Sequence, residues 1–178
     1  MQEKLFRSMP RGVCTCGSLR AASRRVSQYY DSVLAPLGLK MTQFSILAEV
    51  HRSGLQVPVS MRDLAVAMIM DRSTLGHNLR PLVRKELLLL RTAREDGRKR
   101  YVLLTQNGFT LLQQARRLWE CAERRIEKAF GKEPAAALRA TLLRIANEPQ
   151  LIPMVTGVRR IDWEGDKNTG PSASPFIE

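Results

Sequence analysis

Nine lysine and arginine residues fall between Arg72 and Arg100, against three acidic ones, Glu86, Glu95 and Asp96, so this stretch carries a formal charge of +6. Cationic side chains at that density suit a polyanion, because each phosphate they neutralise releases condensed counterions. Hydrogen-bonding groups of another kind lie among them: Ser73, Thr74, His77 and Asn78. An asparagine amide matches the donor and acceptor on an adenine edge, and a histidine N–H can donate to a base acceptor. Bond-making chemistry has no comparable support. The chain offers no Ser-His-Asp arrangement, no metal triad and no glycine-rich phosphate loop. Its two histidines, His51 and His77, are far apart, and Cys14-x-Cys16 lacks the spacing and second ligand pair of a zinc site. No cofactor and no catalytic role are expected.

Such side chains need elements that hold them to one side. Asp71 reads as the N-cap of a helix, DRSTLGHNLRPLVRKE. Leu75, Leu79, Leu82 and Val83 recur at i, i+4, i+7 and i+8, which makes an inward stripe. Ser73, Thr74, His77 and Asn78 are then placed to read bases, with Arg80 and Arg84 toward phosphates or the flank. The helix N-terminus itself favours phosphate. Pro81 removes a donor inside this helix and is read as a bend. After it, LLLLRTA, the charged turn REDGRKR and YVLLT read as a β-hairpin, with Asp96-Gly97 marking the tight turn. Arg98 is the first candidate DNA contact there, and Arg94, Lys99 and Arg100 are further phosphate contacts. Asp96 would repel phosphate, so it is assigned to shaping the turn or holding Arg98. A helix followed by a basic hairpin is the physical form of a winged helix-turn-helix on duplex DNA.

The rest of the chain fits a single domain with helical additions. It has 178 residues, 44% hydrophobic content and a formal net charge of +12. That balance favours nucleic acid or an acidic membrane surface. No run of 18 apolar residues is present, and no apolar segment follows Lys4 and Arg7, so a cytoplasmic protein without membrane contact is expected. Three cysteines, Cys14, Cys16 and Cys121, do not suggest a disulfide framework. Residues 1–17 read as irregular. Ser18 reads as the cap of a first helix through Ala35, and Thr42 begins a second. Residues 57–59 offer a short strand, and Ser60 caps a short helix with Asp63 three residues on. Thr105 caps a long helix through Phe130 despite Gly108 near its start. Pro134 opens a last helix that ends near Pro149. The fold class is mainly α with a small β-wing. The domain spans 18–148, its DNA-binding part about 42–104, and residues 149–178 form an extension expected to be partly flexible.

Several segments, in order, resemble the MarR family of bacterial transcriptional regulators. LAPLGLKMTQFSILAEV is similar to the junction of that family's first two helices, SMRDLAVAMIMDRSTLGHNLRPLVRKELLL to its helix-turn-helix, and REDGRKRYVLLTQNG to its wing, including Asp96-x-Arg98. The resemblance implies a homodimer built on terminal helices. It also implies binding to a pseudo-palindromic operator, commonly as a repressor, and a small phenolic or aromatic effector. An architectural DNA-binding protein without effector is the alternative. So is an organic-hydroperoxide sensor, because CGSLRAASR resembles the reactive-cysteine segment of such regulators and puts Cys16 at the sensing position. The tyrosines that serve the thiolate in those sensors correspond here to Met41 and Phe44, which carry no hydroxyl.

Overall fold

The computed structural model describes residues 14–54, 57–93 and 99–151. Helix α1 spans Thr15–Leu34, and a 3-10 turn at Ala35–Leu37 leads to α2, Met41–Ser53. Strand β1 (Val59–Ser60) precedes α3 (Met61–Ala67) and α4 (Arg72–Arg84). A hairpin of β2 (Leu88–Thr92) and β3 (Arg100–Leu104) runs into the long α5 (Gln106–Phe130) and then α6 (Lys132–Asn147). The sheet is antiparallel in the order β1-β3-β2, with Val59 opposite Val102 and Leu88 opposite Leu104. A mainly α fold with a three-stranded wing is therefore the architecture. No single helix among the described residues is long and apolar enough to cross a membrane.

Three helix starts differ from the sequence expectation, the last helix opening at Lys132, two residues before Pro134. Helix α1 begins at Thr15, because the Cys14 thiol rather than Ser18 takes the cap and accepts from the Gly17 N–H at 3.4 Å. Helix α2 begins at Met41, one residue before Thr42. The Asp31 carboxylate, reaching back from α1, accepts the Met41 N–H at 2.7 Å, and Gln43 accepts that of Lys40 at 3.0 Å. Those bonds satisfy two orphan donors of the first turn, so Lys40 needs no capping side chain of the usual kind. The caps at Ser60, Asp71 and Thr105 are as the sequence indicates, each accepting the N–H three residues on.

One contiguous core ties α4 and the hairpin to the long helices. Leu34, Ile46, Leu47, Leu64, Leu75, Leu82 and Leu88 are fully buried in it, with Val102 and Ala115 closing it from the hairpin and α5. Full burial of a leucine contributes roughly 1.5–3 kcal/mol relative to exposure. The α1 end is pinned separately. Tyr30, buried, donates its phenol hydrogen to the Glu123 carboxylate of α5, and Arg139 of α6 bridges Glu123 at 3.4 Å and Glu127 at 3.2 Å. Burial, and then the hydrogen bond to Glu123, raises the Tyr30 pKa above the ordinary phenol value, so the hydroxyl stays a donor. Near the start of α5, His51 of α2 lies against Phe109, with ring centroids 5.2 Å apart.

Both helices of the helix-turn-helix end in the same motif, and neither uses glycine. After α3, the Ile69 N–H bonds Val66 O and the Met70 N–H bonds Ala65 O. After α4, Glu86 N–H bonds Val83 O and Leu87 N–H bonds Leu82 O. These are Schellman ends, which require a left-handed residue at the turn. Ile69 (φ 50°) and Glu86 (φ 56°) supply it. For a β-branched residue that conformation is unfavourable by roughly 1–2 kcal/mol. Ile69 is 60% exposed and so gains little from burial in return. Ile69→Gly should therefore stabilise the fold by about 1 kcal/mol, read as a higher urea midpoint at unchanged slope. A lower midpoint would show that the Ile69 side chain holds the turn.

Candidate nucleic-acid interface

Helix α4 is built to show one face outward. Leu75, Leu79 and Leu82 are buried to 0–1% exposure, and Val83 packs on the same core. Ser73, His77, Arg80 and Arg84 are exposed on the opposite side. At 3.6 residues per turn the two sets must separate in this way once the leucines are anchored. Arg72, Ser73, Thr74, Gly76, His77, Asn78 and Arg80 line one open recess of about 620 Å³. Six of these seven are polar or charged, and all four proposed base readers, Ser73, Thr74, His77 and Asn78, lie in it.

The start of α4 is more committed than its sequence suggests. The Asp71 carboxylate accepts the Thr74 N–H at 2.8 Å and the Thr74 hydroxyl at 2.6 Å. Those bonds, the hydroxyl one foremost, hold the Asp71 pKa down at about 2. Asp71 is thus ionised at neutral pH and occupies both Thr74 donors of the first turn. The cap thus brings a negative charge of its own to the α4 N-terminus. The Thr74 hydroxyl retains an acceptor lone pair for a base donor, while its proton is engaged. Asn78 is also engaged, with its amide donating to Thr74 O at 2.9 Å. Ser73 and His77 stand exposed in the same recess. Pro81 lies in the last turn and α4 runs through it to Arg84, so the missing donor does not end the helix.

The hairpin follows directly from the end of α4. Thr92 pairs with Arg100, and the Ala93 N–H bonds Lys99 O at 2.9 Å, which closes the neck of the loop. Lys99 and Arg100 are exposed at that neck. Arg94, Asp96, Gly97 and Arg98 lie outside the described residues. Arg91, opposite Tyr101 on β2, adds an exposed cation that the sequence reading did not single out. Arg72 is a second such residue. Its position four before Gly76 and eight before Arg80 is a helical spacing already present in the sequence.

Cys16 is exposed in the first turn of α1, beside the capping Cys14. Phe44, at a position where the hydroperoxide sensors carry a tyrosine, is buried and stacked on Trp119 with centroids 6.2 Å apart. Among the described residues no cluster of histidine, cysteine or carboxylate could hold a metal ion.

No family model matches the chain. Individual proteins do. The HTH-type transcriptional regulator PecS of Dickeya dadantii is 29% identical over 129 residues, covering 72% of this chain and 78% of PecS. The crystal structure of the Mycobacterium tuberculosis transcriptional regulator MosR in complex with DNA superposes with a TM-score of 0.66 at 31% identity, covering 78% of this chain and 99% of that one. Two Rhodococcus regulators share the fold at lower identity. A MarR-family regulator from Rhodococcus sp. RHA1 has a TM-score of 0.69 at 21% identity, over 78% of this chain and 96% of that one. CouR from Rhodococcus jostii RHA1, bound to p-coumaroyl-CoA, has a TM-score of 0.68 at 20% identity, over 82% and 100%. Fold, an outward polar recognition face and relatedness to a regulator solved on DNA converge: the chain belongs to the MarR family of DNA-binding, winged helix-turn-helix transcriptional regulators.

Proposed function

We propose that the protein is a homodimeric repressor that binds a two-fold operator and leaves it when a small aromatic or phenolic ligand binds. The observation that carries the DNA reading is α4: three leucines fully buried on one side and Ser73, His77, Arg80 and Arg84 exposed on the other. Ser73 and His77 are assigned to base edges, with Thr74 as an acceptor and Asn78 available once its intrahelical bond is exchanged. Arg80, Arg84, Lys99 and Arg100 are assigned to phosphates, with Arg94 and Arg98 of the hairpin loop beside them and Asp96 and Gly97 shaping that loop. The dimer is supported by α6, which buries Ala135 but leaves Leu138, Leu142 and Leu143 at 52%, 39% and 36% exposure. Such a leucine face on a terminal helix is an association surface. The aromatic effector is supported by the Phe44–Trp119 stack at the junction of α2 and α5, and by p-coumaroyl-CoA in CouR.

Selection from random duplex DNA tests the reading. The expected product is an inverted repeat with half-sites about one helical turn apart, 34–36 Å. On that operator, His77→Ala should weaken binding about tenfold and relax the preference at one base position. Arg80→Ala should weaken binding at every sequence alike and lower the salt slope by about 1. Enrichment of no sequence, with salt-dependent binding intact, would identify an architectural DNA-binding protein instead. Trp119 fluorescence during titration with phenolic acids reads the effector step, and release of the operator at the same concentrations is the expected result.

A further inference from the structure

Gly76 has no reason within the protein to be glycine. It lies in the middle of α4, where glycine is unfavourable by roughly 1 kcal/mol relative to alanine. Its φ is not in the left-handed region, in contrast to Gly38 at 62° and Gly131 at 87°. A Cβ built on it meets nothing within 4 Å. At Gly108 a Cβ would lie 2.1 Å from Leu87 O, and at Gly54 it would lie 2.7 Å from Val50 O. Those glycines admit a neighbour from the same chain, whereas Gly76 admits none.

What surrounds Gly76 is cationic. Arg72 and Arg80 stand four residues before and after it, on the same ridge of the helix, and Arg84 continues that ridge. All three arginines are exposed, and Arg72, Gly76 and Arg80 line the same recess. The ridge runs along the flank of α4, between the buried leucine stripe and the outward His77. A helix lying in a major groove has a phosphodiester strand along each flank. The opposite flank carries Thr74, Asn78 and Pro81, which are uncharged. At the α4 N-terminus the Asp71 carboxylate takes the Thr74 N–H.

From this arrangement, and resting on the DNA-binding reading above, we infer that Gly76 is a close-approach point. One sugar–phosphate strand of the operator crosses α4 at Gly76, clamped between the guanidinium groups of Arg72 and Arg80. The absent Cβ lets the strand come against the helix backbone, and that proximity brings both arginines within reach of phosphate oxygens. Gly76 is therefore a positioning residue for binding, retained at a cost to helix stability.

The test is Gly76→Ala in the full-length protein, with Arg72→Ala and His77→Ala alongside. The thermal midpoint of Gly76→Ala should rise by about 2–4 °C, because the helix gains propensity and nothing clashes. Its operator affinity should fall at least tenfold. The slope of log affinity against log salt should shrink by about 1–2, as one or both arginines lose their phosphates. Arg72→Ala should lower the slope by about 1. Gly76→Ala with wild-type affinity and slope, while His77→Ala weakens binding, would overturn the close-approach assignment and leave the DNA reading standing. A wild-type protein that selects no duplex would overturn both.

Discussion

Gly108→Ala should destabilise the folded protein by about 3 kcal/mol, a large effect for one methyl group. Gly108 is buried in the first turn of α5, where an added Cβ would lie 2.1 Å from Leu87 O, 2.8 Å from a Leu104 methyl and 3.0 Å from the Leu87 carbonyl carbon. Two of those three atoms belong to backbone and cannot rotate away. The site is also a knot of polar contacts. Thr105 Oγ1 accepts the Gly108 N–H at 2.9 Å and donates to Glu86 O at 2.7 Å, while the Thr105 N–H bonds Leu87 O at 3.2 Å. The end of α4, the base of the hairpin and the start of α5 thus meet within a few residues. Displacing α5 there moves the recognition helix relative to the long helix. We expect a lower urea midpoint for Gly108→Ala and weaker operator binding in the same variant. An unchanged midpoint would show that the junction yields without strain. The contrast with Gly76→Ala is informative, since one substitution then has opposite effects on stability at two helical glycines.

Replacing Leu138 and Leu142 together by glutamate should separate the proposed dimer and weaken operator binding by about 10²–10⁴-fold. Both leucines are substantially exposed on α6 in the single chain, so the charges add little strain to the monomer. Across a two-fold interface four carboxylates would be brought into an apolar seam without partners, which is strongly unfavourable. Binding would then proceed one half-site at a time and lose the effective concentration that joins the two readers. Sedimentation gives the mass, and titration of one half-site against the full operator gives the loss. A double variant that stays dimeric and keeps full affinity would place the subunit contact elsewhere. Arg139 should remain bridged to Glu123 and Glu127 in the monomer, because those contacts are internal to the chain.

The reader was legible in the sequence for a simple reason: its signals are local. An Asp71 cap, leucines at 75, 79 and 82, and a cationic turn after LLLLRTA depend only on spacing along the chain. The element order and the outward placement of Ser73, His77, Arg80 and Arg84 follow from those spacings once a core exists. Residues that act by contact between distant segments were not legible. Asp31 starts α2 from another helix by accepting the Met41 N–H. The sequence marks Gly108 only as a weak helix former, whereas the fold makes it the sole residue type that lets Leu87 O approach. Gly76 is the converse, a glycine that the fold leaves with open space beside it.

By itself, then, the sequence determined that a charged helix and hairpin exist and which residues of that helix face away from the core, because periodicity and charge are properties of the chain alone. Only the tertiary structure decided how the groups along Asp71 to Thr105 divide between open surface and contact with the rest of the chain. Arg72 and Arg80 are left flanking an open Gly76. Thr105 joins the end of this reader to the long helix through Glu86 and Leu87. Those divisions depend on distances of about 3 Å between groups that spacing alone cannot bring together or hold apart.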